Sequence, residues 1–99
     1  MSHIVIHRDH PLTLDEARQA AETLAVQLAE RYDLSHHWQD DTLYFERSGV
    51  GGQIELEPGK LRINVRLGFL LATLKYKLEQ EIHAYLNELF QQAGPSDPV

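Results

Sequence analysis

The sequence predicts an α+β fold in the order β-α-β-β-β-β-α: a mostly antiparallel sheet with two helices on one face, the C-terminal helix long. Three observations carry this. Apolar residues recur every three or four positions over 17–32 and again over 69–92. Between them, residues 35–67 alternate apolar and polar with a period of two. Turn-forming residues interrupt that stretch at Asp40-Asp41, Ser48–Gly52 and Pro58-Gly59, at spacings that suit hairpins. Strands joined by hairpins are antiparallel neighbours. Since each has one apolar face, both helices belong on the same side of the sheet.

The first strand is the β-prone run Ile4-Val5-Ile6, closed by Asp9, His10 and Pro11. Thr13 and Glu16 then form an S/T-x-x-E capping box, whose side chains satisfy otherwise unpaired amides at a helix start. Asp15 and Glu16 suit the positive end of the helix dipole. Ala17, Ala20, Ala21, Leu24, Leu28 and Tyr32 make the apolar face, and its small residues allow close packing on a sheet. Arg18, Glu22 and Glu30 lie on or beside the polar side.

In the next hairpin, a turn centred on Asp40 and Asp41 sets Trp38 opposite Leu43 and His36 opposite Phe45. Gly49, Gly51 and Gly52 in the following SGVGG segment predict a bulge or a positive φ, at Gly51 or Gly52 in particular. Pro58-Gly59 suits the centre of a type II turn. It pairs Leu56 with Leu61, Ile54 with Ile63, and Glu55 with Arg62. The dry face then carries Trp38, Leu43, Phe45, Ile54, Leu56, Leu61, Ile63 and Val65. Gly68 precedes a helix expected from Phe69 to about Gln92, with Leu71, Leu74, Leu78, Ile82, Tyr85 and Leu89 as its stripe; Gly94 and Pro95 stop it. Residues 1–92 read as a single domain and 93–99 as a disordered tail.

Composition narrows the function classes. A net charge of −6, with 15 acids against 9 bases, gives no general attraction for phosphate backbones, so nucleic acid is not expected as a partner. The absence of Cys excludes disulfides, thiolate metal sites and a cysteine nucleophile. No apolar run reaches the ~20 residues of a transmembrane span or resembles a secretory signal, so a cytoplasmic protein is expected.

No constellation supports a catalytic, cofactor or metal site. His3 and His7 share a strand face but lie ~13 Å apart by the rise per residue, too far to ligate one ion. His36 and His37 point to opposite faces. Asp40 and Asp41 read as solvated turn formers. Ser35 beside His36 and His37 lacks an orienting third member. The SGVGG glycines lie between strands, not before a helix, and no Walker lysine follows. A non-enzymatic protein is therefore expected.

The informative segment is LGFLLATLKYK, Leu67 to Lys77. Phe69 and Leu70 fall off the helical stripe and are candidates for an exposed apolar patch. A helix of about 24 residues is ~36 Å long, whereas strands of six or seven residues span ~20–23 Å. The helix end, with Leu86, Leu89 and Phe90, would then overhang and need cover, for which a homodimer is the simplest solution. The candidate interaction surface is accordingly Phe69, Leu70, Leu86 and Phe90.

These residues also carry a resemblance. FERSGVGGQIEL, LRINVRLGFLLATLKYKLEQEI and YLNELF, with the opening IVIHRDHPLTLDEARQAAETLA, resemble the small polyhydroxyalkanoic acid system proteins, or granule-region proteins, of bacteria. The distinctive parts are R-S-G-V-x-G at Arg47–Gly52 and L-G-x-L at Leu67–Leu70. The resemblance implies an accessory of polyester storage that contacts the granule surface or granule proteins, and it brings no catalytic residues. The alternative is a small hydrophobic-ligand or acyl-chain binding domain, with an enzymatic role open, in a helix-grip-like architecture. A deep apolar pocket under the long helix would favour that alternative; a filled core with an outer apolar patch would favour the granule accessory.

Overall fold

Strand β1 (Ser2–Asp9) leads into helix α1 (Leu14–Tyr32), then β2 (Ser35–Gln39), β3 (Thr42–Arg47), β4 (Val50–Glu57) and β5 (Lys60–Leu67), a 3₁₀ segment (Phe69–Leu74) and helix α2 (Lys75–Ala93). This computed structural model describes residues 2–93, the last three by backbone only. The expected tail, 93–99, lies outside the described residues except for Ala93, which belongs to α2.

The strands form one antiparallel sheet in the order β1-β5-β4-β3-β2. Helix α1 leaves β1 at one edge, and the chain re-enters the sheet as β2 at the other. Five strands at ~4.8 Å spacing are ~19 Å across, and the 19 residues of α1 cover ~28 Å, enough to cross the sheet obliquely. The capping box is present: the Thr13 hydroxyl accepts from the Glu16 N–H at 3.1 Å, and Glu16 Oε1 accepts from the Thr13 N–H at 2.9 Å.

The hairpin registers are those read from the sequence. Trp38 pairs with Leu43 and His36 with Phe45; Leu56 pairs with Leu61, Ile54 with Ile63 and Glu55 with Arg62. Gly59, at φ 79°, fits the third position of a type II turn. Between the sheet and both helices lies one core, in which Ile4 and Ile6 of β1 join Leu43, Phe45, Ile54, Leu56, Leu61, Ile63 and Val65. Helix α1 contributes Ala17, Ala21, Leu24, Ala25 and Leu28; α2 contributes Leu78, Ile82 and Leu86.

Three expectations need correction. Trp38 is only partly buried, because β2 is an edge strand and its indole N–H must reach a partner. It donates to Glu22 at 2.8 Å, while the Arg18 guanidinium lies 4.1 Å from the ring centroid.

The second correction concerns the glycines. Gly51 and Gly52 form no bulge: both pair regularly with β3 and with β5. The left-handed residue is Gly49, at φ 87°, in the tight turn that joins β3 to β4. Gly52 is required by close approach instead. A Cβ there would sit 2.6 Å from two ring carbons of Phe45 and 2.7 Å from the Asn64 carbonyl oxygen.

The third concerns the last helix, which starts as a 3₁₀ segment and becomes α-helical only at Lys75. The Gly68 N–H donates to the Gly49 carbonyl at 2.8 Å, and the Leu71 N–H donates to the Gly68 carbonyl at 3.0 Å. With three residues per turn, Leu71 and Leu74 align; Leu71 packs on the core, and both line the small cavity beside Phe45 and Leu78.

Candidate functional site

The space beneath the helices is filled. Two apolar cavities remain there, of about 10 Å³ beside His10, Tyr85 and Phe90 and about 20 Å³ beside Phe45, Leu71 and Leu78. Each holds a water molecule at most, whereas ligand pockets run to ~300–1,000 Å³. Three larger, part-polar depressions lie elsewhere: about 270 Å³ beside His7, Glu55 and Arg62, about 350 Å³ beside Gln53, Asn64 and Arg66, and about 340 Å³ beside Gln27, Glu30, Arg31 and Glu81 of the two helices.

The apolar surface is at the opposite extreme of exposure. Phe69 is 85% exposed, Leu70 86% and Tyr76 73%. Helical geometry explains why they share a face. Steps of about 120° per residue in the 3₁₀ segment and about 100° in α2 bring Leu71, Leu74 and Leu78 to one direction. Phe69, Leu70 and Tyr76 then fall within about 75° of the opposite direction, over about 13 Å of axis. Lys75 and Lys77 flank this outer face on either side.

Of the four residues expected at an interaction surface, two are exposed and two are not. Phe69 and Leu70 are exposed. Leu86 is 1% exposed and belongs to the core, and Phe90 is half-buried, stacked on the His10 ring at a centroid distance of 5.7 Å. The connection between β1 and α1, carrying His10 and Leu12, covers the helix end that seemed on length alone to overhang. The motive for a homodimer at Leu86 and Phe90 goes with that overhang. Tyr76 was not among the predicted site residues, although its off-stripe position between two lysines was the available signal.

The histidines do not converge. Nδ1 of His10 accepts from the Leu12 N–H at 3.1 Å, while its Nε2 is buried without a partner. His36 contacts Glu22 at 3.0 Å, His83 contacts Arg8 at 2.9 Å, and His37 stacks on Tyr44. Among the described residues, no three His, Cys, Asp or Glu side chains are placed to hold a metal ion, and no helix is long and apolar enough to cross a membrane.

The remaining polar contacts fix the helices. The Trp38 indole N–H, followed by the contact with His36, holds the Glu22 carboxyl below the usual carboxylate range. Arg18 donates to the Asp40 carbonyl at 2.8 Å and to Asp41 at 3.1 Å. Glu81 on α2 accepts from Arg31 at 2.9 Å and from the Tyr32 hydroxyl at 2.8 Å. Burial, followed by that bond to a carboxylate, pushes the Tyr32 phenol up to about 12.

Comparison with known proteins gives one match. The model of a family described as "Putative polyhydroxyalkanoic acid system protein" matches residues 4–90. No curated protein and no solved structure matches the chain significantly.

Proposed function

Because the chain belongs to the polyhydroxyalkanoic acid system protein family, we propose that it is a non-enzymatic accessory of bacterial polyester storage that associates with granules or granule proteins through Phe69, Leu70 and Tyr76. The observation that carries this reading is the pairing of a filled core with a protruding apolar end. Complete burial of Phe69 and Leu70 is worth ~3–6 kcal/mol before association costs are subtracted. That contributes to a reversible surface contact but does not secure one by itself.

The acyl-chain alternative needs an internal volume that cavities of about 10 and 20 Å³ do not offer. The test is localisation of a fluorescently tagged chain in polyester-accumulating cells. Fluorescence that coincides with granules, and becomes diffuse in the Phe69→Ser, Leu70→Ser double variant, is expected. Diffuse fluorescence of the wild type would reject the proposal.

A further inference from the structure

We infer that the outer face of the 3₁₀ segment and the first turn of α2 seats on an anionic lipid surface. The inference rests on the proposed granule association and names the chemistry of the surface met.

Charge distribution supplies the first argument. From Lys60 to Lys77 the chain carries five bases and no acid, in a protein of net charge −6; two of the five, Lys60 and Arg62, lie at the far end of β5, Lys60 across from Asp9 and Glu57 and Arg62 ion-paired with Glu55. Arg66, Lys75 and Lys77 belong to this stretch. Arg66 is the last residue but one of β5, and its side chain lies over Gly51. Acids also stand at this end: Glu81 follows one turn after Lys77, its carboxylate bonded to Arg31 and to the Tyr32 hydroxyl. Glu46 pairs with the same Gly51 on the open face, and half-buried Glu79 follows one turn after Lys75. An acidic protein with one basic, apolar end approaches an anionic surface in a single orientation.

Shape and area supply the second. Phe69, Leu70 and Tyr76 project from a short helical corner that Leu71 and Leu78 pin to the core. Aromatic side chains bury ~150–250 Å² each when covered completely, so the three together offer roughly 500 Å². A stable protein interface takes ~800 Å² from each partner, and a second copy of this chain would therefore be held poorly by this face alone. A lipid headgroup region asks for less: a few apolar side chains set ~5–10 Å deep, with basic groups at headgroup level. Lys75 and Lys77 stand on the flanks where that arrangement needs them.

The experiment is sedimentation of the full chain with vesicles of pure phosphatidylcholine and with vesicles in which about a third of the lipid is phosphatidylglycerol. Wild type is expected to partition at least about tenfold more strongly onto the anionic vesicles, and raising salt to ~0.5 M should erase most of the difference. Lys75→Gln with Lys77→Gln should weaken anionic binding about 30-fold, from ~1 kcal/mol per basic residue near such a surface. Phe69→Ser with Leu70→Ser should lower it by about a hundredfold.

Thermal melts confirm that each variant is folded; Tyr76→Ser provides an independent probe of the same face. Equal binding to both vesicle types, no binding to either, or full binding by both double variants would overturn the inference. Granule localisation without vesicle binding would overturn it too, pointing to an acidic protein or the bare polyester while the proposed function stands. Vesicle binding without granule localisation would remove the proposed function and leave the lipid face standing.

Discussion

Replacing Gly52 with Ala adds one methyl group, and its predicted effect depends on a single packing detail. Gly52 does not have a positive φ, so the backbone accepts alanine. The loss of unfolded-state freedom would then stabilise the protein by ~0.4–1 kcal/mol. Against this, the new Cβ would lie 2.6 Å from the Phe45 ring and 2.7 Å from the Asn64 carbonyl oxygen, more than about 0.8 Å inside normal carbon contact distances. The ring is 2% exposed and has no room to swing away. Asn64 belongs to β5, which is paired on both sides, so its carbonyl cannot retreat either. Overpacking of this kind costs ~1–3 kcal/mol, and clashes on two sides place it at the upper end. The net expectation is a loss of ~1–2.5 kcal/mol, read as a lower urea midpoint at unchanged m. Gly51→Ala is the control, since it meets only the end of the flexible Arg66 side chain, and should be nearly neutral. A Gly52→Ala protein as stable as wild type, or more so, would refute the claim that Phe45 lies over this glycine.

Other perturbations test the remaining contacts. Ile63 is fully buried, between Ile6 and Ile54 on its neighbouring strands, so Ile63→Ala should cost ~2–5 kcal/mol; a urea-measured change below ~0.5 kcal/mol would count against the core assignment. The folded-state pKa of Glu22 is lowered, so its contribution is complete above the ordinary carboxylate range and is lost as pH falls through the folded value. Glu22→Gln should flatten that acid slope, followed by fluorescence of Trp38, the single tryptophan. Tyr32 has the opposite sign: raised to about 12, it stabilises fully below ~10 and loses that contribution as pH rises towards its folded value. Tyr32→Phe should therefore lessen the loss of stability between those limits, as measured by denaturation at each pH.

The parts of the fold visible in the sequence were those decided locally. A period of two and two-residue turns determine which residues face each other, and so Leu56 meets Leu61 and Trp38 meets Leu43. The Thr13–Glu16 box is likewise complete within four residues. What escaped was decided at long range. Nothing near Ile4 announces that β1 pairs with β5, which closes the sheet and gives Ile6 its place beside Ile63. Glycine clustering at 49–52 signals that side chains are excluded, but not whether a turn, a bulge or the Phe45 ring excludes them. Phe69 and Leu70 were legible as off-stripe residues. Leu86 was misplaced because helix length was compared with the sheet alone, without the His10–Leu12 connection that covers the helix end.

The most direct measurement of the central claim is co-sedimentation of purified protein with isolated polyester granules, wild type against Phe69→Ser, Leu70→Ser. Both side chains are more than four-fifths exposed, so the variant should melt with the wild type while its granule-bound fraction falls by at least about tenfold, a loss of ~1.4 kcal/mol or more. An equally stable variant that sediments as completely as the wild type would contradict the account.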